Sequence, residues 1–246
     1  FQFGLIYTGS DDGLIHVTKD GGNSWEDVTG SLPKNLWVSR VIASKFKKER
    51  VYATLNGYRW DDFSAYVYMS DNYGQTWKNI SSNIPASAVN VIKEDSENEH
   101  LLYVGTDNGL YASFNNGAEW HPFDGGLPNV AVHDLVIQER EKDLVVGTHG
   151  RSIYKASISH LQKFNEIKEN IHVFEIDNIR FSSRLGTSWS QWRDPFTPSM
   201  NIPFYVKGAK KVSIDIYKGD VKVNSISVYA DNGFNEVKFD ASFSKK

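Results

Sequence analysis

The chain of 246 residues contains no cysteine, so a disulfide framework and a thiolate metal site are both excluded. Its seven histidines (His16, His100, His121, His133, His149, His160 and His172) are scattered, none paired at metal-ligand spacing, and no metal is expected. A glycine-rich phosphate loop and a Ser–His–Asp signature are missing as well, so no cofactor is implied. An excess of one charge is also lacking. Lys and Arg number 27 against 30 Asp and Glu, a net charge of −3, which implies neither a nucleic-acid groove nor attraction to an anionic membrane surface. No apolar run approaches the roughly 18 residues of a membrane span, and Phe1-Gln2-Phe3-Gly4 does not have the pattern of a signal peptide. Helical periodicity is confined to one short stretch, His160 to Ile167.

What the chain does have is aromatic side chains, 14 Phe, 12 Tyr and 7 Trp, and a repeat that spaces some of them. Thr18-Lys19-Asp20-Gly21-Gly22-Asn23-Ser24-Trp25 lies between two short alternating runs, which read as strands joined by a tight turn. An Asp in such a turn accepts backbone N–H groups, a Gly supplies positive φ, and the Trp opens the next strand with a large apolar surface. The unit recurs as Ser70 to Trp77, with Asn72 and Gly74, and as Ser113 to Trp120, with Asn115 and Gly117. Trp25, Trp77 and Trp120 stand about 40–50 residues apart, the period of propeller blades, and all three are expected to be buried between strands. Replacement of Asp20 by Asn72 and Asn115 favours a turn-bracing role, since an amide oxygen still caps a turn but is a poor catalyst.

A second recurring piece is a Gly-Thr-Asp-type turn, in Leu5 to Gly13, Leu102 to Gly109 and Leu144 to Arg151, preceded in later units by a β-branched run. One unit is therefore strand A, strand B, strand C, the box and strand D. The first unit, about Phe3 to Val28, has no strand A; the second (Val38 to Ile80) and third (Val89 to Phe123) are complete; the fourth (Val132 to Ser157) lacks its box and strand D. The expectation is an all-β chain: residues 1–157 form about four propeller blades, the first and last incomplete. Residues 158–198 hold a helix, a strand that closes the propeller (Ile171 to Ile176 or Ile179 to Phe181) and a linker from Gly186 to Pro198. Residues 199–246 alternate as half-buried strands and form a small, truncated, immunoglobulin-like sandwich segment. Open sheet edges at both ends predict pairing with the remaining blades of a longer parent chain, or self-association.

The motif resembles the Asp box of the BNR-repeat proteins, the β-propeller family that includes sialidases, some endo-glucanases and the sortilin ectodomain. Leu127-Pro128 through Tyr154, with Trp37 to Arg40 and Asp61-Asp62-Phe63, resembles the last blades of large exported bacterial proteins called BNR-repeat or glycosyl-hydrolase-like. That likeness implies a secreted, periplasmic or cell-surface location. A shared fold carries no function with it.

In a propeller the B–C and D–A loops share the face opposite the C–D turns. That face collects Asp11, Asp12, Trp37, Asp107, Asn108, His149 and Arg151, together with an insertion from Asn56 to Ser64 in the second unit. Aromatics beside carboxylates and arginine suit a sugar or a peptide, so Trp37, Arg40, Tyr58, Arg59, Trp60, Asp107, His149 and Arg151 are candidate ligand-binding residues. The only catalytic candidates are Asp61 and Asp62, and adjacent carboxylates diverge rather than flank one glycosidic bond. Arg40, Arg59 and Arg151 come without the Tyr–Glu pair of a sialidase. Two readings follow: a non-catalytic module that binds a glycan or a protein, or part of a glycoside-hydrolase-like enzyme whose other catalytic residues lie outside this chain.

Overall fold

A computed structural model describes residues 3–123, 126–176, 187–188, 191–192 and 198–240. It comprises two compact units, Phe1–Asn165 and Glu166–Lys246. In the first unit β1 (Ile6–Gly9), β2 (Ile15–Thr18) and β3 (Glu26–Asp27) form a three-stranded sheet. Next, β4 (Trp37–Ala43), β5 (Val51–Gly57), β6 (Asp62–Ser70) and β7 (Lys78–Asn79) form a four-stranded one. A second four-stranded sheet follows, with β8 (Val89–Glu94), β9 (Leu102–Thr106), β10 (Gly109–Ser113) and β11 (His121–Pro122). Then β12 (Val132–Gln138), β13 (Asp143–Thr148) and β14 (Ile153–Ser157) make the fourth sheet, again of three strands. All pairings are antiparallel between sequence neighbours, so each sheet is one blade, and among the described residues the outer blades have three strands rather than four.

The blades pack face to face. Successive residues of a strand point to opposite faces, so β5 feeds two cores at once. Ala53 and Leu55 join Ile15, Val17, Val28 and Val38 between the first and second blades. Tyr52 joins Val67, Ile80, Ile92, Val104 and Trp120 between the second and third. Every residue of β5 and β9 is accordingly buried, whereas β14 of the last blade has no buried residue and leaves Ile153 72% exposed.

The three boxes brace their own turns. In the first, the Thr18 hydroxyl donates to Asp20 Oδ1 at 2.7 Å and accepts from the Gly22 N–H at 2.9 Å, while the Ser24 N–H donates to Asp20 Oδ1 at 3.0 Å. Ser70, Asn72, Gly74 and Thr76 repeat this arrangement, as do Ser113, Asn115, Gly117 and Glu119. The Trp of the second and third boxes then reaches back one blade. The Trp77 indole N–H donates to the Val28 carbonyl at 2.7 Å, and that of Trp120 to the Ile80 carbonyl at 2.6 Å. Trp120 is buried and Trp77 partly so, but Trp25, expected to be buried like them, is 45% exposed. The reason is physical: a box Trp is covered by the blade before its own, and no described residue stands in that place for Trp25.

The first unit ends in α1 (Ser159–Gln162), the short helix expected from the sequence. Its Gln162 amide donates to the buried Asp95 carboxylate at 3.1 and 3.2 Å, which fastens the helix to the third blade.

In the second unit β15 (Ile171–Val173), β16 (Met200–Val206) and, beyond a hairpin, β19 (Gly233–Phe239) form one sheet in the order β15-β16-β19, and β17 (Lys210–Lys218) pairs with β18 (Val221–Ala230). Their shared core is Phe204, Val206, Val212 and Ala230. Among the described residues this is five strands in two sheets, short of the seven of an immunoglobulin domain. Ile171 pairs with Val206 and Val173 with Phe204, so this run does not supply a strand D to the fourth blade. The other candidate for that role, Ile179 to Phe181, most of the Gly186 to Pro198 linker, and residues 241–246 of the third segment lie outside the described residues.

Candidate functional site

The box turns lie against the chain that leads into strand B of their own blades: Tyr73 N–H donates to the Glu49 carbonyl at 2.8 Å, Asn116 N–H to His100 at 3.1 Å, and Gly21 N–H to Gly4 at 3.0 Å. Strands C and D therefore carry the B–C turns and D–A loops to the opposite end, where the sequence places its binding candidates.

That end is built by three bulges. The register between strands A and B shifts between Val38 and Arg40, between Val89 and Val91, and between Val132 and Asp134. Each shift leaves one unpaired residue at the same level: Ser39, Asn90 and His133. A bulge bends its strand and re-aims a side chain. Asn90 uses this freedom fully. Its carbonyl accepts from the Asn56 amide at 2.9 Å and its own amide donates to Asp107 Oδ1 at 2.8 Å, tying the second blade to the third. In the fourth blade, His133 instead faces His149, ring centroids 5.3 Å apart. In the second, the Ser39 hydroxyl reaches the Val89 carbonyl at 2.8 Å. One step along, Arg40 Nη2 donates to Asp134 Oδ1 at 2.7 Å, joining β4 to β12.

Beside this polar row stands the insertion. Tyr58–Trp60 form a 3₁₀ turn whose first N–H is held by Asn56 Oδ1 at 2.9 Å, and Asp61 ends it in the left-handed region at φ 57°. The turn holds Tyr58 at 59% and Trp60 at 54% exposure, with Phe63 edge-on to Tyr58 at 5.9 Å. The Arg59 guanidinium lies over the Trp37 ring at 5.4 Å, a cation–π contact that fixes both groups. Asp62 is spoken for: it accepts from the Ser64 N–H at 2.9 Å and from the Tyr66 hydroxyl at 2.7 Å, and these bonds hold its carboxyl below the usual range.

The matches with known proteins agree with this architecture. The sortilin-Vps10 family model, described as sortilin, neurotensin receptor 3, matches residues 65–197, more than half of the chain. The chain belongs to the sortilin-Vps10 family. No curated protein matches the sequence. Among solved structures, the GH74 xyloglucanase from Xanthomonas campestris is similar with a TM-score of 0.50 and 12% identity, over 95% of this chain and 36% of that one. An ancestral GH74 enzyme (TM-score 0.50, 14% identity, 92% and 31%) and the Niastella koreensis GH74 enzyme (TM-score 0.50, 14% identity, 63% and 27%) are similar too. At these identities the likeness shows the β-propeller fold alone, and the chain spans about a third of those structures.

Of the sequence candidates in this sortilin-type propeller, Trp37, Tyr58, Arg59 and Trp60 come together, and Asp107 joins the amide row. His149 stands against His133. Arg40 is committed to Asp134, and Arg151 is exposed in the turn before β14. Asn56, Asn90 and His133 escaped the sequence-based selection. Their signal is positional: Asn90 and His133 are the second residues of β8 and β12, and Asn56 opens the insertion. No helix among the described residues is long and apolar enough to cross a membrane.

Proposed function

We propose that this chain is a non-catalytic, glycan-binding part of an exported protein, with the ligand lying across the B–C/D–A face. The observation that carries the reading is the exposed platform of Tyr58, Trp60 and Phe63 beside the Asn56–Asn90–Asp107 row. Sugar rings stack apolar faces on aromatic rings and present hydroxyls to polar groups; the rings stand open here, and half-buried Asp107 ends a row whose Asn56 and Asn90 are buried and hold it in place. Glycoside hydrolysis asks for more: two carboxyl groups about 5–5.5 or 6.5–9.5 Å apart, one held protonated. Here Asp62 is held ionised, Asp107 accepts from Asn90, and Asp134 is paired with Arg40. The carboxyl that burial pushes up, Glu94, lies at the other end of strand A, bonded by the Ser44 hydroxyl, the Lys45 N–H and the Tyr52 hydroxyl.

The test is isothermal titration with xyloglucan oligosaccharides, cello-oligosaccharides and sialyllactose, alongside the double variant Arg59→Ala/Trp60→Ala. Binding by at least one glycan is expected, weakened at least tenfold in the variant while the melting temperature holds. Absence of binding across the panel, or binding indifferent to the variant, overturns the reading. Hydrolysis of any of these sugars would replace it with the enzyme reading.

A further inference from the structure

The histidines are scattered along the sequence, yet the fourth blade brings His133 and His149 to ring centroids 5.3 Å apart. Two repeated positions of the blade meet there. The first is the unpaired residue of the bulge, which is Ser39, Asn90 or His133. The second closes strand B at the same end. Asp107 and His149 hold it in the third and fourth blades, donating their N–H groups to the Ala88 and Ala131 carbonyls at 3.0 and 2.9 Å. Asn56, opposite Trp37, holds it in the second. In the third blade the two positions join directly, since the Asn90 amide donates to Asp107 Oδ1 at 2.8 Å. The backbone therefore sets these two side chains face to face, and the fourth blade fills both places with imidazole.

Both histidines are exposed, and among the described residues neither side chain has a hydrogen bond or an ion pair. His100, bonded to Asn116, and His172, beside Glu169, are engaged in a way this pair is not. A neutral imidazole keeps one nitrogen lone pair as an acceptor. Two such rings side by side offer two lone pairs and no proton between them that either must accept. A cation is the natural partner for both.

We infer that His133 and His149 form a two-imidazole site for a divalent cation of the zinc class. The spacing selects the geometry. Zinc sits about 2.0–2.1 Å from a ligating nitrogen, hence about 3.2 Å from the ring centroid, and two rings at the tetrahedral angle then have centroids about 5.2 Å apart. A right angle, as in octahedral coordination, would bring them to about 4.5 Å. The observed 5.3 Å matches the tetrahedral case. No third His, Cys, Asp or Glu completes the set among the described residues, so the site is open and water or a ligand's donor atom takes the other positions. Mg²⁺ and Ca²⁺ require oxygen donors and are rejected by the same pair. None of this depends on the glycan reading, because the metal alone is the probe.

Isothermal titration of the metal-free chain with zinc chloride tests the inference. One saturable site per chain is expected, with no heat of binding from Mg²⁺ or Ca²⁺. His133→Asn and His149→Asn each remove an imidazole while supplying the residue a sister blade has at that position, Asn90 or Asn56. Each is expected to weaken zinc binding at least tenfold with circular dichroism unchanged, whereas His121→Ala, in exposed β11, leaves it unaltered. A second measurement needs no variant. Zinc is expected to protect His133 and His149 of the native chain from diethyl pyrocarbonate, read by peptide mass spectrometry, while His121 stays reactive. Absence of saturable binding overturns the inference and leaves the pair a ring contact only. Binding indifferent to both Asn variants, or modification of both rings indifferent to zinc, overturns it as well.

Discussion

Replacing the three box tryptophans by alanine, one at a time, separates the joint between blades from the box itself. All three boxes share the same three bracing hydrogen bonds, the first hydroxyl to the Asp or Asn oxygen and the two backbone N–H groups that close the turn, so the turn contributes similarly to each. A Trp buries about 150–250 Å². At about 25 cal/mol per Å², full burial is worth about 4–6 kcal/mol as an upper bound, and measured Trp→Ala losses in cores run about 3–5 kcal/mol. Trp120 is 1% exposed and donates to the Ile80 carbonyl, so Trp120→Ala is expected to cost about 4 kcal/mol. Its backbone stays pinned by Asn83, whose amide and carbonyl exchange hydrogen bonds with it at 2.8 Å, so the loss belongs to the side chain. Trp25 is 45% exposed with no acceptor among the described residues, so roughly half the area and no hydrogen bond are at stake, and about 1–2 kcal/mol is expected. Trp77 falls between. Urea melts followed by far-ultraviolet circular dichroism give the three values. Equal losses at Trp25 and Trp120 would refute the argument, because the boxes are alike and only the covering blade differs.

Two further outcomes test the electrostatics. Asp20 is held well below the usual carboxylate range, chiefly by the Ser24 hydroxyl and N–H, so its contribution is present above the unfolded pKa of about 3.9 and is lost as pH falls from there. The melting-temperature difference between the native protein and Asp20→Asn is therefore expected to stay constant above about pH 5 and to shift in favour of the variant toward pH 2; a difference independent of pH would sink the idea. Tyr52→Phe removes a buried donor to Glu94 and is expected to cost about 1.5–3 kcal/mol at pH 7, the worth of a hydrogen bond to a charged group. Because burial raises the Glu94 pKa, that cost is expected to shrink as acid neutralises the carboxyl; a cost that grows toward low pH would refute the placement.

The blades were legible in the chain because every part of a blade is local. Thr18, Asp20, Gly22 and Ser24 satisfy one another within a few residues, so the pattern announces the turn wherever it falls. Joints are not local. Trp25, Trp77 and Trp120 are the same residue in the same motif, and their burial differs because it is decided by the blade in front. Ile171 to Val173 shows the same limit in another form. Three alternating apolar residues can complete any sheet edge, and the choice of β16 over the fourth blade was made by Phe204 and Val206, some thirty residues away.

The candidate site depends on the least legible feature of all. A bulge is a mismatch of count between two strands, and Ser39, Asn90 and His133, which occupy equivalent bulges, share no side-chain chemistry. That freedom is what makes the position useful. The residue is released from the ladder, so its side chain answers to neither the core nor the sheet, and the backbone tolerates hydroxyl, amide or imidazole alike. The blades fix where three such positions stand, at one end of three inner strands; their identity is left open to selection for a ligand. Fold and binding chemistry are thereby separated residue by residue. At Asn90 the two are joined, because its amide bridges buried Asn56 to Asp107; Asn90→Ser leaves those partners unsatisfied and is expected to cost about 1–3 kcal/mol in a urea melt, and a loss below that would show the bridge contributes little.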